Sequence, residues 1–553
     1  MQSDTDLLIP SILEKSASKF PERPIFMVNE NNKSLQTISY SNFSARVKKL
    51  ASFIINQSIK KGSHIALIGK NSIDWSTAYF AILNAGCVVV PIDKALRAQE
   101  IRHLLRHSDS CALFIESDCL NVLNEGEEKN IKLPTFELKN IDKLADASKG
   151  TSSMRLAASR DETAVIIYTS GTTGSPKGVM LSHRNITENI RNILPYFDIN
   201  HEDVFLSVLP VHHSFEATTG FLLPISVGSG ICYSRKLRAK ELLEDIKASN
   251  ATIMIGVPLL YEKFYSGIKK GVKEKGILVS TIFDSILNLS SIIHKSFSIN
   301  TGKYLMKSFR QKVGFFNMRI MITGGAGIRP EVVEFFNGFG INFVQGYGLS
   351  ETSPVITINP INKNKYSSIG TVISCCEVKI ASPDNKPGEI LVRGENVFKK
   401  YYKNPEASLE AFTDDGWFKT GDLGYMDNEG YLYIMGRAKN VIVTAGGKNV
   451  QPEELEEKIN QSPLVLESLV VGKKNNVGAE EPYAVIVPNF DSLDEKFGSK
   501  YDDEELKKII KTIIDKVNES SASYKRIIGF KIQHEEFPKT STRKIKRYIY
   551  TLS

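Results

Sequence analysis

Residues 168–183 read "YTSGTTGSPKGVMLSH". The preceding "TAVIIYTS" (163–170) is rich in β-branched residues and reads as a strand, so the glycine-rich run starts where a strand ends. Five small hydroxyl residues and two glycines then lead into Lys177. Backbone N–H groups in such a turn converge on an anion, and hydroxyls and a lysine add side-chain donors. A polyphosphate is the guest this composition suits. The run is not a Walker A loop, because Pro176 stands where the second glycine is needed. Nor is a dinucleotide fingerprint present: "GAGIRP" from Gly325 and "GYGLSE" from Gly346 both lack the final glycine. Taken alone, a Gly/Ser/Thr-rich turn reads first as a flexible surface loop, and its company decides the matter.

Working outward, short apolar runs alternate with helical periodicity. "SHIALIGK", "CVVVPID" and "CALFIES" are read as strands; "SIDWSTAYFAILNAG", ended by Gly86, and "RAQEIRHLLRHSDS" as helices. The pattern returns in "DVFLSVLP", "ATIMIGVP", "MRIMITGG" and "INFVQGYG". This predicts an α/β chain with parallel-rich sheets whose ligand loops follow the strands. From about 369 to 434 short strands and turns predict a β-rich subdomain, and after Arg437 a small α+β domain is expected. The expected division is 1–436 and 437–553.

A chain of 553 residues calls for at least two folded domains. With 42% hydrophobic and 24% charged residues it has globular composition, and no apolar run is read as long enough to span a bilayer. The first residues lack a secretory pattern, so a cytoplasmic protein is expected. Six cysteines without a CxxC pair read as reduced thiols, with no zinc spacing around them. The net charge of +8 is spread along the chain without the basic stripe that nucleic acid needs.

Five ordered segments give the loop its meaning: residues 168–183, "GGAG" (324–327), "YGLSET" (347–352), "GWFKTGDLGYMDNEGYLYIMGRAKNVI" (416–442) and "PKTSTRKIKR" (538–547). Together they resemble the adenylate-forming superfamily, which includes acyl-CoA synthetases, luciferases and the adenylation domains of peptide synthetases. The resemblance implies a large N-terminal α/β domain with a β-rich subdomain and a small, mobile α+β C-terminal domain. It implies ATP and magnesium as reactants of a carboxylate, and a thiol as acceptor.

Joining a carboxylate to ATP brings two anions together, which demands positive groups and a divalent cation. By resemblance, Thr169, Ser170, Gly171, Thr172, Thr173 and Gly174 with Lys177 cradle phosphates. Glu351, helped by Thr169, holds magnesium; a hard oxygen donor suits this ion. Gly325, Ala326, Tyr347, Gly348 and Ser350 flank the nucleotide, Asp422 accepts from the ribose hydroxyls, and Arg437 joins it. Lys544 is the expected catalytic lysine, although Arg543 replaces the glycine usual before it. Rotation about a hinge near Lys439 is expected to withdraw Lys544 and present Gly446, Gly447 and Lys448 to the thiol.

"LPVHHSFEATTGFLLPISVGSG" (209–230) matches the segment lining the carboxylate pocket, with His213 near the substrate carboxylate and His212 structural. Its form, with "VPLLYEKF" (257–264), is most similar to bacterial long-chain fatty acyl-CoA ligases. Coenzyme A is therefore the expected acceptor; holo acyl carrier protein is the alternative, and an inactive acyl- or nucleotide-binding module a reading of another class. "GILVSTIFDSILNLSSIIHKSF" (276–297) reads as an amphipathic helix covering the core, with peripheral membrane contact as its other reading.

Overall fold

A computed structural model describes residues 8–30, 34–124, 132–147, 156, 159–169, 176–382, 387–444, 448–474, 480–498, 501–539 and 545–550. Two compact units are present: Met1–Glu377 with Val392–Phe418, and Val378–Leu391 with Lys419–Ser553.

The first unit is built on two sheets. In the nine-stranded sheet, Pro24–Glu30, Gly230–Tyr233, Val204–Ser207, Ile253–Gly256, Ile320–Thr323 and Asn342–Gly348 lie side by side and parallel. Val355–Ile358 and Thr371–Val372 add antiparallel strands at one edge, and Ser34–Ser39 closes the other. The seven-stranded sheet runs Tyr401–Tyr402, Lys177–Ser182, Thr163–Thr169, Val88–Ile92, His64–Ile68, Ser110–Ile115, Thr135–Glu137, parallel from Thr163–Thr169 onward. Strands such as Val88–Ile92 are buried along their whole length. This is why they read as continuous apolar runs rather than alternating ones.

Capping places the first helix after the phosphate-type loop. The Ser182 hydroxyl accepts from Asn185 N at 3.1 Å while Asn185 Oδ1 accepts from Ser182 N at 2.9 Å, starting the helix His183–Ile193. That reciprocal cap fixes Asn185, whose amide donates to Glu395 O and Val397 O, and, a turn later, Asn189, which reaches into the candidate site.

The helix Ile277–Phe297 corrects one expectation. It is long and apolar enough to meet the length and composition of a membrane span; Asp284 and scattered serines had broken the run to the eye. One face covers the core, as read from the sequence. Phe283 is wholly buried, its ring 4.9 Å from Phe309 and 6.1 Å from Phe339. A methyl group placed on Gly338 would lie 2.0 Å from Ser291 Oγ, so this helix packs tightly on Pro330–Gly338. The other face is exposed.

The second unit holds the antiparallel pair Phe418–Met426 and Leu432–Arg437, the two-stranded pair Ile442–Val443 with Asn449–Val450, and a three-stranded sheet. In the latter, Val465–Lys474 pairs antiparallel and Gly529–Ile532 parallel with Glu480–Pro488. Helices Pro452–Asn460 and Asp503–Glu519 bury Leu455, Ile459, Leu506, Ile510 and Ile514 in a core of their own.

Phe283→Ala is expected to destabilise the first unit by about 3–5 kcal/mol, the usual loss for a buried aromatic ring. Urea unfolding followed by near-ultraviolet circular dichroism reads it; a midpoint equal to wild type would show that the helix is not anchored as described.

Candidate functional site

The parallel strands deliver several of the predicted residues at their ends. Ile320–Thr323 leads into Gly324, Gly325 and Ala326; Asn342–Gly348 carries Tyr347 and Gly348; Thr163–Thr169 ends at Thr169. Gly325 and Ala326 are exposed, whereas Gly324 is buried against Phe215. Ser170, Gly171, Thr172, Thr173 and Gly174 lie outside the described residues.

The corner after Gly348 is held from several directions. Asn189 Nδ2 donates to Val355 O at 2.8 Å, Asn396 Nδ2 to Thr352 O at 3.0 Å and Val355 O at 2.8 Å, and Thr218 Oγ1 to Ser353 O at 2.9 Å. The Ser214 and Ser350 hydroxyls are 3.1 Å apart. Each of these side chains is buried or half-buried, so the backbone polar groups of residues 352–355 are satisfied without water.

On this fixed corner Glu351 meets Tyr401, from far along the chain, and Tyr401 in turn meets Lys177. Tyr401 Oη donates to Glu351 Oε1 at 2.9 Å, and Lys177 Nζ lies 5.0 Å above the Tyr401 ring. Burial first, then the adjacent Glu351 carboxylate, pushes the Tyr401 hydroxyl well above the ordinary phenol range. It therefore stays a neutral donor. Tyr401 is placed by an edge strand that pairs with Lys177–Ser182, Tyr401 opposite Val179 and Tyr402 opposite Gly178. Tyr402 Oη and Lys403 Nζ both bond Asp109, at 2.8 and 2.7 Å, locking that pairing. The arrangement presents an ammonium and a carboxylate beside the stem of the glycine-rich loop, the donor set that a magnesium–polyphosphate requires. Thr169 Oγ1 reaches only a 3.5 Å contact with Lys177 O. Tyr401 was missed from sequence: "KKYYKN" carries no chemical signature of its own.

A second cluster forms where "VHHSFE" follows Val204–Ser207. Ligand atoms of Asp93, His212 and His213 all lie within 4.8 Å of one another, a set able to hold a cation. His212 is buried, its Nε2 3.6 Å from Asp93 Oδ1, and His213 is half-buried. The residue after this pair that sequence reading overlooked is Glu216, at the start of a π-helix, Glu216–Leu222. Its carboxyl is fully buried, accepts from Ser207 Oγ at 2.5 Å, and has its second oxygen without a hydrogen bond. Burial pushes it up to about 8.

In the second unit, Asp422 and Arg437 face each other across the antiparallel pair, Arg437 Nε donating to Asp422 Oδ1 at 2.7 Å. Asp422 is buried, and Asp422 N donates to Thr420 Oγ1 at 3.1 Å. Lys439 follows in a short 3-10 turn, Ala438–Asn440. Lys448 N donates to Thr444 Oγ1 at the neck of the hairpin whose tip, with Gly446 and Gly447, lies outside the described residues. Lys544 also lies outside them, between Lys539 and Ile545, which pair as an antiparallel bridge. That bridge is anchored: Lys539 bonds Glu467, and Arg547 bonds the half-buried Glu456, whose carboxyl is lifted by desolvation to about 7.

A two-unit α/β chain with anion-type donors at the ends of its parallel strands is thus defined by fold and site together. Residues 13–402 match the AMP-binding enzyme family, and residues 439–550 match the AMP-binding enzyme C-terminal domain. The chain belongs to the AMP-binding enzyme family. It is 30% identical over 454 residues to the long-chain-fatty-acid–CoA ligase FadD15 of Mycobacterium bovis, covering 77% of this chain and 74% of that one. It is 26% identical over 590 residues to the chloroplastic long-chain-fatty-acid–[acyl-carrier-protein] ligase AEE15 of Arabidopsis thaliana, covering 92% and 79%. The fold matches o-succinylbenzoate coenzyme A synthetase (MenE) of Bacillus subtilis in complex with ATP and magnesium ion, at a TM-score of 0.76 and 24% identity, over 97% of this chain and 98% of that one.

Glu216 generates a pH prediction. The folded protein keeps its proton between the ordinary 4.5 and about 8, so the stability this group contributes is full below 4.5 and is lost as pH rises to 8. Glu216→Gln stays neutral throughout. Its stability relative to wild type should therefore climb between pH 5 and 8.5 by a few kcal/mol, at about 1.36 kcal/mol per pH unit. Urea midpoints across that range test it; a pH-independent difference would place a charged carboxylate in the core.

Proposed function

We propose that this protein activates a long-chain fatty acid with ATP and passes the acyl group to the thiol of coenzyme A. The observation that carries the reading is the Lys177–Tyr401–Glu351 chain: an ammonium and a carboxylate on one buried tyrosine, beside the loop stem that ends at Thr169. In the first half-reaction a carboxylate oxygen bonds to the α-phosphorus of ATP, the bond from that phosphorus to the bridging oxygen breaks, and pyrophosphate leaves. In the second, the thiol sulfur bonds to the acyl carbon, the bond from that carbon to the phosphate oxygen breaks, and AMP leaves while the thiol proton passes to solvent.

The residues divide this work by chemistry. Lys177 and residues 169–174 neutralise the leaving pyrophosphate. Glu351, with Thr169, holds magnesium, and the fit rests on hard oxygen donors: among the described residues only Oε1 of Glu351 is engaged, by Tyr401. The ion supplies charge neutralisation on the phosphates. Asp422 accepts from the ribose hydroxyls with Arg437 fixing its orientation, Tyr347 lies against the adenine, and Gly325, Ala326, Gly348 and Ser350 line its approach. His213 orients the fatty carboxylate. Lys544 stabilises charge on the α-phosphate and attacking carboxylate, and after a turn at Lys439 the residues Gly446, Gly447 and Lys448 admit the thiol.

Similarity to AEE15 favours one second reading, delivery to holo acyl carrier protein. Palmitate and ATP supplied with coenzyme A or with holo carrier protein separate the two. Thioester formed only on the carrier protein would overturn the coenzyme A reading, and no carboxylate-dependent pyrophosphate release at any chain length would leave a binding module instead. Chains of about twelve carbons or more should be preferred, each buried methylene being worth about 0.8 kcal/mol.

Three variants test the division of labour. Lys544→Ala should slow acyl-adenylate formation by roughly two to three powers of ten, yet convert preformed acyl-adenylate to thioester at near the normal rate. Gly447→Leu should do the reverse. Tyr401→Phe should slow adenylation about tenfold, the effect of one hydrogen bond to a charged group, and raise the magnesium concentration needed for half the maximal rate. Equal loss in both half-reactions for Lys544→Ala, with the fold intact, would sink the two-face mechanism.

A further inference from the structure

The exposed side of Ile277–Phe297 is the largest feature that the reaction leaves unused. Leu278, Ile282, Leu289 and Ile292 follow one another at helical spacing, on the side opposite the buried Phe283, Leu287, Ser290 and His294. All four are exposed, Leu278 at 75% and Ile292 at 62%. Past these four, Phe297, Ile299, Tyr304 and Phe316 are exposed as well. Of the 21 large apolar side chains exposed among the described residues, ten lie between 277 and 316. So dense a concentration is a surface awaiting cover.

Charge says what covers it. Between Lys270 and Phe316 eight lysine and arginine residues stand against Glu274 and Asp284, a net +6 of the chain's +8. Lys295, Lys303, Lys307 and Lys312 are exposed, and Lys307 Nζ lies 6.0 Å over the exposed ring of Phe316. Apolar side chains set among cations fit an interface with acyl chains below and anionic headgroups at the rim. A second copy of the chain would set +6 against +6. Insertion across the bilayer would strip Phe283 and Ser291 from the core and bury Asp284, which pairs with Lys269 at 2.7 Å.

We propose that this face docks the protein on an anionic lipid bilayer, the helix Ile277–Phe297 lying in the plane of the membrane with Leu278, Ile282, Leu289 and Ile292 among the acyl chains. The surface argument is independent of the reading of the reaction, though a bilayer is where a long-chain fatty acid partitions.

The test is co-sedimentation of the full chain with vesicles of phosphatidylcholine and phosphatidylglycerol, 3:1, and of phosphatidylcholine alone. Wild type should bind the anionic vesicles at least tenfold more tightly than the neutral ones, and less tightly in 0.5 M salt. The triple variant Ile282→Ser, Leu289→Ser, Ile292→Ser, whose fold is checked by circular dichroism and melting, should bind at least tenfold more weakly. Lys303→Glu with Lys307→Glu should remove the preference for anionic lipid. Wild type remaining in the supernatant, or the triple variant binding as wild type does, overturns the proposal. So does a lipid-free dimer, seen by analytical ultracentrifugation, that the triple variant abolishes without any vesicle binding. Pyrophosphate release with palmitate is measured on the same preparations: its absence in wild type alongside vesicle binding would remove the proposed reaction and leave the docking surface standing.

Discussion

Gly348 and Pro354 approach so closely that a methyl group at residue 348 would fall 1.7 Å from the Pro354 carbonyl oxygen. No side chain fits there, and the strand Asn342–Gly348 can fold back on Val355–Ile358 only because position 348 is glycine. Everything described around Glu351 hangs on that fold-back. It brings the short 3-10 turn Ser350–Thr352 under Asn189, Asn396 and Thr218, whose amides and hydroxyl satisfy carbonyls that would otherwise be buried without partners.

A pinned corner is what lets a 3-10 turn and two separate strands share one site. Glu351 comes from the corner, Lys177 from the next-to-edge strand of the other sheet, and Tyr401 from the two-residue strand at its edge. Tyrosine serves both neighbours in different ways: its face meets the ammonium and its hydroxyl meets the carboxylate. A phenylalanine would keep the first contact and lose the second, and a histidine would bring a charge of its own. Direct pairing of Lys177 with Glu351 would spend both charges on each other, whereas the intervening ring keeps them apart and leaves each available.

The parallel strands were legible because burial on both faces makes them uninterrupted apolar runs, and the loop at 168–183 because glycine, hydroxyl and lysine in one turn are hard to explain otherwise. Asp422 and Arg437 were legible as residues, though not as a cross-strand pair. What could not be read were groups whose meaning comes from distant partners. Tyr401 lies 50 residues from Glu351 and far from Lys177 in sequence, and Asp93 reads as a strand end until His212 is placed beside it. Glu216 follows the histidines in plain sight, yet its full burial depends on Ser207 and the π-helix geometry, which periodicity does not show. The helix at 277–297 was legible as amphipathic, but the exposed face being apolar as well is a property of packing.

The same contrast explains the basicity of the chain. A net +8 in an enzyme that handles polyphosphate invites the view that the excess surrounds the nucleotide. Among the described residues, much of it lies elsewhere. Among the described residues of the first unit, Lys177 shares Tyr401 with Glu351 and Lys403 is bound to Asp109; in the second unit Arg437 is bound to Asp422. Matched charges give local recognition with little long-range field, because opposite signs a few ångströms apart cancel beyond a Debye length of about 8–10 Å. The stretch from Lys270 to Phe316 carries a net +6, and all of its cations except the buried Arg310 are exposed where apolar side chains face outward. Long-range attraction and chemical recognition are therefore assigned to different parts of the molecule, and the overall charge reports on the surface rather than on the site.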